Sequence, residues 1–151
     1  MALIVALLVA GCGGSGYTKG DFVARADAIC AGALRQIRSV SPPGSAQAGS
    51  GQDATVTAYL SNVVPVLETE ASQLRALRRP PGTKSDQAAL ARWYAALAHS
   101  VTSYQALAAA AKRGDDQGVA DAEAALGASP VYSLAVSYGL RSCGTPGATT
   151  A

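Results

Sequence analysis

Apolar residues recur at intervals of three and four along most of the chain. Phe22, Ala26, Ile29, Cys30, Ala33, Ile37 and Val40 form the first such series, and that spacing places them on one face of a helix. Thr18-Lys19-Gly20-Asp21 stands in front of it with the outline of a capping box, Asp taking the place of the usual Glu or Gln. Asp21 and Arg25 form an i,i+4 pair in the first turn. Ser41-Pro42-Pro43-Gly44 ends the helix. From Ser41 to Asp53 the chain is Pro, Gly, Ser, Ala and Gln without an apolar period, which predicts a long and mobile loop.

The second series is Val56, Leu60, Val63, Val64, Leu67, Ala71, Leu74 and Leu77. Pro65 interrupts it, and a proline there removes a hydrogen bond and crowds the preceding turn, so a kink or a split is expected. Arg75, Arg78 and Arg79 gather at its end. Cations at the negative end of the helix dipole explain that placement; a patch for anionic lipid is the other reading. Pro80-Pro81-Gly82 breaks the chain, and Thr83 or Ser85 caps a third helix running to Arg113. Its face carries Leu90, Trp93, Tyr94, Leu97, Val101, Tyr104, Leu107, Ala108 and Ala111, with Gly114 where a C′ glycine belongs. Asp115 and Asp116 open a fourth helix. Its stripe is Val119, Ala122 and Leu126, broken by Gly127 and Pro130, then Val131, Leu134, Ala135 and Tyr138. Gly139-Leu140 has the form of a Schellman ending, Cys143 lies in the exit loop, and 145–151 is expected to fray. No segment alternates as strands do. The chain therefore reads as all-α: an antiparallel four-helix bundle over 18–144, its second and fourth helices kinked or split at prolines.

The N-terminal end has a different pattern. The first charged side chain is Lys19, and Met1 to Ala10 is an apolar run. It is too short to span a bilayer and has the length of a signal-peptide core. It ends in Val9-Ala10-Gly11-Cys12, the aliphatic-small-small-Cys order of a bacterial lipobox. That order predicts a signal peptide over 1–11, a diacylglycerol on the sulfur of Cys12, and a Gly/Ser-rich tether over 12–17. The run lacks the Lys or Arg that normally precedes it, so either the start lies upstream or the α-amine of Met1 suffices. An ordinary cleaved signal peptide is the plainer alternative.

Three cysteines are an odd count for an exported protein. With Cys12 acylated, Cys30 and Cys143 remain as a natural disulfide pair under oxidising conditions. The alternative is two buried free thiols. The bridge closes a loop of about 113 residues, for which the chain-entropy model gives roughly 4–5 kcal/mol.

Composition narrows the function. Hydrophobic residues make up 49%, charged residues 15% and aromatic residues 5%. Twelve basic and ten acidic residues leave a net charge of +2, with no basic stripe suited to nucleic acid. About a fifth of the chain is alanine, so helices can approach closely but bury little apolar area per residue.

The search for chemistry returns little. His99 is the single histidine, and Ala95, Ala96, Thr102 and Ser103 around it are not metal ligands. There is no Cys-x-x-Cys, no haem attachment motif and no nucleophile elbow. Glu68 and Glu70 point to different faces, and Asp115-Asp116 lacks the rest of a calcium loop. No catalytic residue, metal site or cofactor is expected, and the chain is not read as an enzyme. The aromatics fit the apolar stripes as core; if they line a pocket, it lies between Tyr59, Trp93, Tyr104 and Tyr138.

The chain resembles small lipoproteins of high-GC Gram-positive, actinobacterial-type bacteria. The resemblance rests on the lipobox and on the segment from Lys19 to Cys30. Leu74 to Pro81, as Leu-Arg-x-Leu-x-x-Pro-Pro, and Tyr138-Gly139-Leu140 with Cys143-Gly144 complete it. It implies an exported, helical, disulfide-bonded lipoprotein and implies no activity. The expected role is a non-enzymatic binding or interaction module on the extracytoplasmic side of the cell membrane. Its partners are the membrane, through the lipid, and an envelope protein or small ligand. A ligand-free structural component of the envelope and an enzyme with an unrecognised site are the alternatives.

Overall fold

The computed structural model describes residues 16–40 and 52–146, those at 52–54 by their backbone alone. The predicted signal peptide, Cys12, most of the tether, the loop from Ser41 to Gly51 and the tail from residue 147 onward lie outside the described residues. The described chain is all-α. Five helices follow one another: α1 (Lys19–Ser39), α2 (Gln52–Ala76), α3 (Lys84–Arg113), α4 (Asp116–Gly127) and α5 (Val131–Tyr138). No strand occurs among the described residues.

Local chemistry accounts for the helix ends. Asp21 N–H donates to Thr18 Oγ1 and Thr18 N–H donates to Asp21 Oδ2, at 3.1 and 2.8 Å. Thr83 and Asp86 repeat the arrangement at the start of α3, at 3.1 and 3.2 Å, so Thr83 and not Ser85 is the cap. Asp is short, yet it still reaches back one turn, and each box satisfies two donors that a helix start leaves open. Gly114 closes α3 with φ of 65° and Gly139 closes α5 with φ of 105°, both in the region that glycine enters without strain. After Gly139, Leu140 N–H donates to Ala135 O at 2.9 Å and its side chain is fully buried, the hydrogen bond and apolar contact of a Schellman ending.

Prolines act differently at two places. Pro65 sits inside an unbroken α2. Pro130 stands at the N-cap of α5, and the stripe read as a fourth helix kinked or split at a proline forms two helices there, α4 and α5. Pro130 has no N–H to donate back into α4, while its carbonyl accepts from Leu134 N–H at 2.9 Å and starts the next helix. Gln52 and Asp53, expected to belong to the loop, are the first residues of α2.

Helix α1 lies against α2, α2 against α3, and α3 against both α4 and α5. The larger core joins Phe22, Cys30, Leu74, Trp93, Tyr138 and Leu140. A smaller one joins Leu60, Leu107 and Ala122. Cys30 and Cys143 form the disulfide, with Cα atoms 5.0 Å apart. The bridge fastens α1 to the loop after α5.

Candidate functional site: an apolar crevice between the helices

The two cores do not close completely. Between them runs a crevice of about 50 Å³. Helix α1 contributes Leu34 and Ile37, α2 contributes Val63, Leu67 and Glu70, and α3 contributes Trp93, Leu97 and Tyr104. Tyr132 of α5 and the disulfide itself complete the wall. Since a water needs roughly 10–15 Å³ on this measure, the space takes a few water-sized groups or a slender apolar chain. A domain with so much alanine lacks the bulk to fill such a seam.

Several polar groups interrupt the apolar lining. Ser100 and Ser129 share a hydrogen bond between their hydroxyls at 2.7 Å. The indole Nε1–H of Trp93 is buried and has no acceptor among the described residues. The carboxyl of Glu70 has neither a hydrogen bond nor an ion pair there, and burial pushes its pKa up to about 7. The side chain is half-buried, and a carboxylate partly removed from water without a partner favours its neutral form. Burial, reinforced by neighbouring Tyr132, also raises the pKa of Tyr104.

Glu70 belongs to a second hollow as well. An outer groove of about 320 Å³ lies along α1 and α2. Ala28, Gly32 and Ala33 floor it, and Val66, Thr69 and Gln73 face them. Gly32 and its alanine neighbours have too little side chain to fill the gap. Glu70 lines both spaces and so forms part of the partition between crevice and groove.

The four aromatics read as a pocket are divided. Trp93 and Tyr104 line the crevice. They are eleven residues apart on α3, about 16 Å along its axis, and so mark different levels of it. Tyr59 packs with Tyr104 around the smaller core and is not on the wall. Tyr138 turns to the far side of the larger core. It meets the ring of Phe22 edge-on with centroids 5.9 Å apart, and Lys19 Nζ lies 4.4 Å from its centroid. A stripe on a long helix shares a face without sharing a point.

Glu70 was visible in the sequence only as a polar residue at helical spacing within the apolar stripe, three after Leu67 and four before Leu74. His99 is exposed on α3. Glu68 accepts from Gln105 Nε2 at 2.6 Å on the surface, apart from Glu70's hollows. Among the described residues no group of three or more His, Cys, Asp or Glu could hold a metal ion. No described helix is long and apolar enough to cross a membrane.

Comparisons with protein-family models, with curated proteins and with solved structures find no match to this chain.

Proposed function

We propose that the chain is an exported lipoprotein of the type it resembles, acylated at Cys12 and held on the extracytoplasmic face of the cell membrane. Its helical domain is a non-enzymatic binding module that takes a slender apolar ligand into the crevice beside Glu70. The observation that carries the binding reading is one apolar hollow lined by both Trp93, whose buried indole N–H has no acceptor, and the half-buried Glu70, whose carboxyl has no partner. Leaving buried polar groups unpaired costs stability. A ligand with an apolar body and a polar group compensates that cost where the core does not.

The anchor reading is supported by Val9-Ala10-Gly11-Cys12 after an uncharged apolar run. It is also supported by the bridge between the other two cysteines, which leaves Cys12 as the odd thiol. The same reading takes the helices as an antiparallel four-helix bundle, α2 bent at Pro65 and α4 with α5 serving as a broken fourth helix. Short links at 77–83 and 114–115 support that arrangement.

Two measurements test it. Trp93 is the single tryptophan, so its emission reports the crevice. Titration of the membrane-extracted protein with medium-chain alcohols, amines and fatty acids is expected to shift that emission saturably. Filling the space with Leu97→Phe should abolish the shift. An emission unmoved by every probe, or moved equally in the variant, refutes the binding reading. Cys12→Ala should release the protein from the membrane fraction; a variant that still sediments with membranes refutes the anchor.

A further inference from the structure

Arg25 of α1 and Arg78, which follows α2, both place their guanidinium groups over one ring, that of Tyr17, at 5.5 and 5.6 Å from its centroid. Beside them Arg79 stands 5.8 Å from the centroid of Tyr94. Arg75 also acts electrostatically on Tyr94, and Tyr17 and Tyr138 are near enough to do the same. Lys19 lies over Tyr138 and reaches Asp86 at 2.9 Å. The start of α1, the end of α2, the start of α3 and the end of α5 thus meet at one end of the domain. Chain segments far apart in sequence bring their cations to the same place.

The charge at this end is unbalanced. Lys19, Arg25, Arg75, Arg78 and Arg79 are all exposed. The carboxylates that interact with them are Asp21, with Arg25, and Asp86, with Lys19, and both are engaged in helix caps. Five cations against two carboxylates leave three positive charges, more than the +2 of the entire chain. Among the described residues Arg78 and Arg79 form no ion pair. Guanidinium groups spread on aromatic rings keep their N–H forks available, and those forks suit phosphate oxygens.

With the anchor at Cys12 proposed above, the reach of the chain selects this end. Tyr17 is five residues from Cys12, and five residues span at most about 18 Å. The lipid therefore holds this end of the domain, and no other, against the bilayer surface. The opposite end of α3, a helix of 30 residues, lies about 45 Å away along its axis.

We infer that the basic, tyrosine-backed end formed by Tyr17, Arg25, Arg78 and Arg79 rests on anionic phospholipid headgroups. Acyl chain and headgroup contacts then act as two signals. Together they fix the orientation of the domain as well as its attachment.

The test uses the lipidated full-length product in two kinds of vesicle. One is phosphatidylcholine alone; the other is phosphatidylcholine and phosphatidylglycerol in equal parts. Trypsin can cut after Arg78, in the exposed non-helical link between α2 and α3. Cutting after Arg113, at the start of the link to α4, serves as the reference on the same molecule. The ratio of the two rates is expected to fall about fivefold or more on the anionic vesicles. Strong salt should restore it. Arg25→Gln with Arg79→Gln should abolish the protection, whereas Lys112→Gln at the far end should leave it intact. Equal ratios on the two vesicles overturn the inference. So does protection by a soluble polyanion that matches protection by the anionic vesicles. If the protein does not float with neutral vesicles, the anchor reading falls. The ratio then decides the headgroup contact alone, which stands only if anionic vesicles still protect Arg78.

Discussion

The Asp27 carboxylate accepts the main-chain N–H of Ser142 at 2.9 Å, across 115 positions of sequence. The same carboxylate accepts from Arg141 N–H at 3.0 Å and from Cys143 N–H at 3.4 Å. Asp27 lies one turn before Cys30, so side-chain acceptor and disulfide grip the same loop from one face of α1. Asp27→Ala leaves three main-chain donors to find water or nothing. Two of those donors are partly buried, so the loss costs about 2 kcal/mol, and it should appear in urea denaturation with the bridge intact. Reduction of Cys30–Cys143 should also be faster in the variant, because the loop is no longer held beside α1. A reduction rate and urea midpoint equal to wild type refute the role given to Asp27.

The disulfide carries a larger share of stability. Its loop separation of 113 residues gives roughly 4–5 kcal/mol on the chain-entropy model. Cys30→Ser with Cys143→Ser should lose stability of that order, and peptide mapping without reductant should recover the two cysteines in one linked fragment. Free thiols in the non-reduced protein, or an unchanged midpoint in the double variant, count against it.

Glycines separate two opposite effects. At Gly139 φ is 105°, where any L side chain is strained, so Gly139→Ala should cost roughly 1–2 kcal/mol. Gly127 closes α4 with nothing near the position of an added Cβ. Gly127→Ala should instead stabilise, by roughly 0.5–1 kcal/mol. Thermal melts of the two variants check the signs; two shifts in the same direction contradict this account of the helix ends.

Those signs also show what the sequence could convey. Thr18 with Asp21, Gly114, Gly139 with Leu140, and the pair Cys30 and Cys143 are legible because capping and cysteine parity are local or countable rules. The apolar stripes are legible because burial repeats with the helical period. Asp27 is not. It sits beside the stripe of α1 as an ordinary polar residue, and its three partners come from the other end of the chain. The break in the fourth stripe at Gly127 and Pro130 is legible; whether the proline kinks one helix or caps a second is not, because its neighbours in space decide that. The crevice is the least legible feature. Trp93, Tyr104, Tyr59 and Tyr138 look equivalent on their stripes, and only the seating of α1, α2 and α5 on α3 separates wall from core. Glu70 shows as a carboxyl on the leucine face of α2, a signal that becomes a site only once two hollows are seen on either side of it.

Glu70 gives the domain a pH dependence of definite sign. Its ordinary pKa is near 4.5, and burial pushes it up to about 7 in the folded chain. The folded state thus holds this proton more tightly than the unfolded state. Between those two values the folded chain binds more protons, so stability falls as pH rises. Below the lower value both states are protonated and the dependence from this group vanishes. Above the higher value the folded chain bears a half-buried charge, at a cost of no more than about 3–4 kcal/mol. Glu70→Gln keeps the shape and removes the charge. Its stability relative to wild type should be flat in acid, rise between the two pKa values, and level off in mild alkali. Urea midpoints of both proteins across that range measure the difference directly. A difference that does not vary with pH means Glu70 is solvated in the folded chain. The partition between crevice and groove would then be open to water.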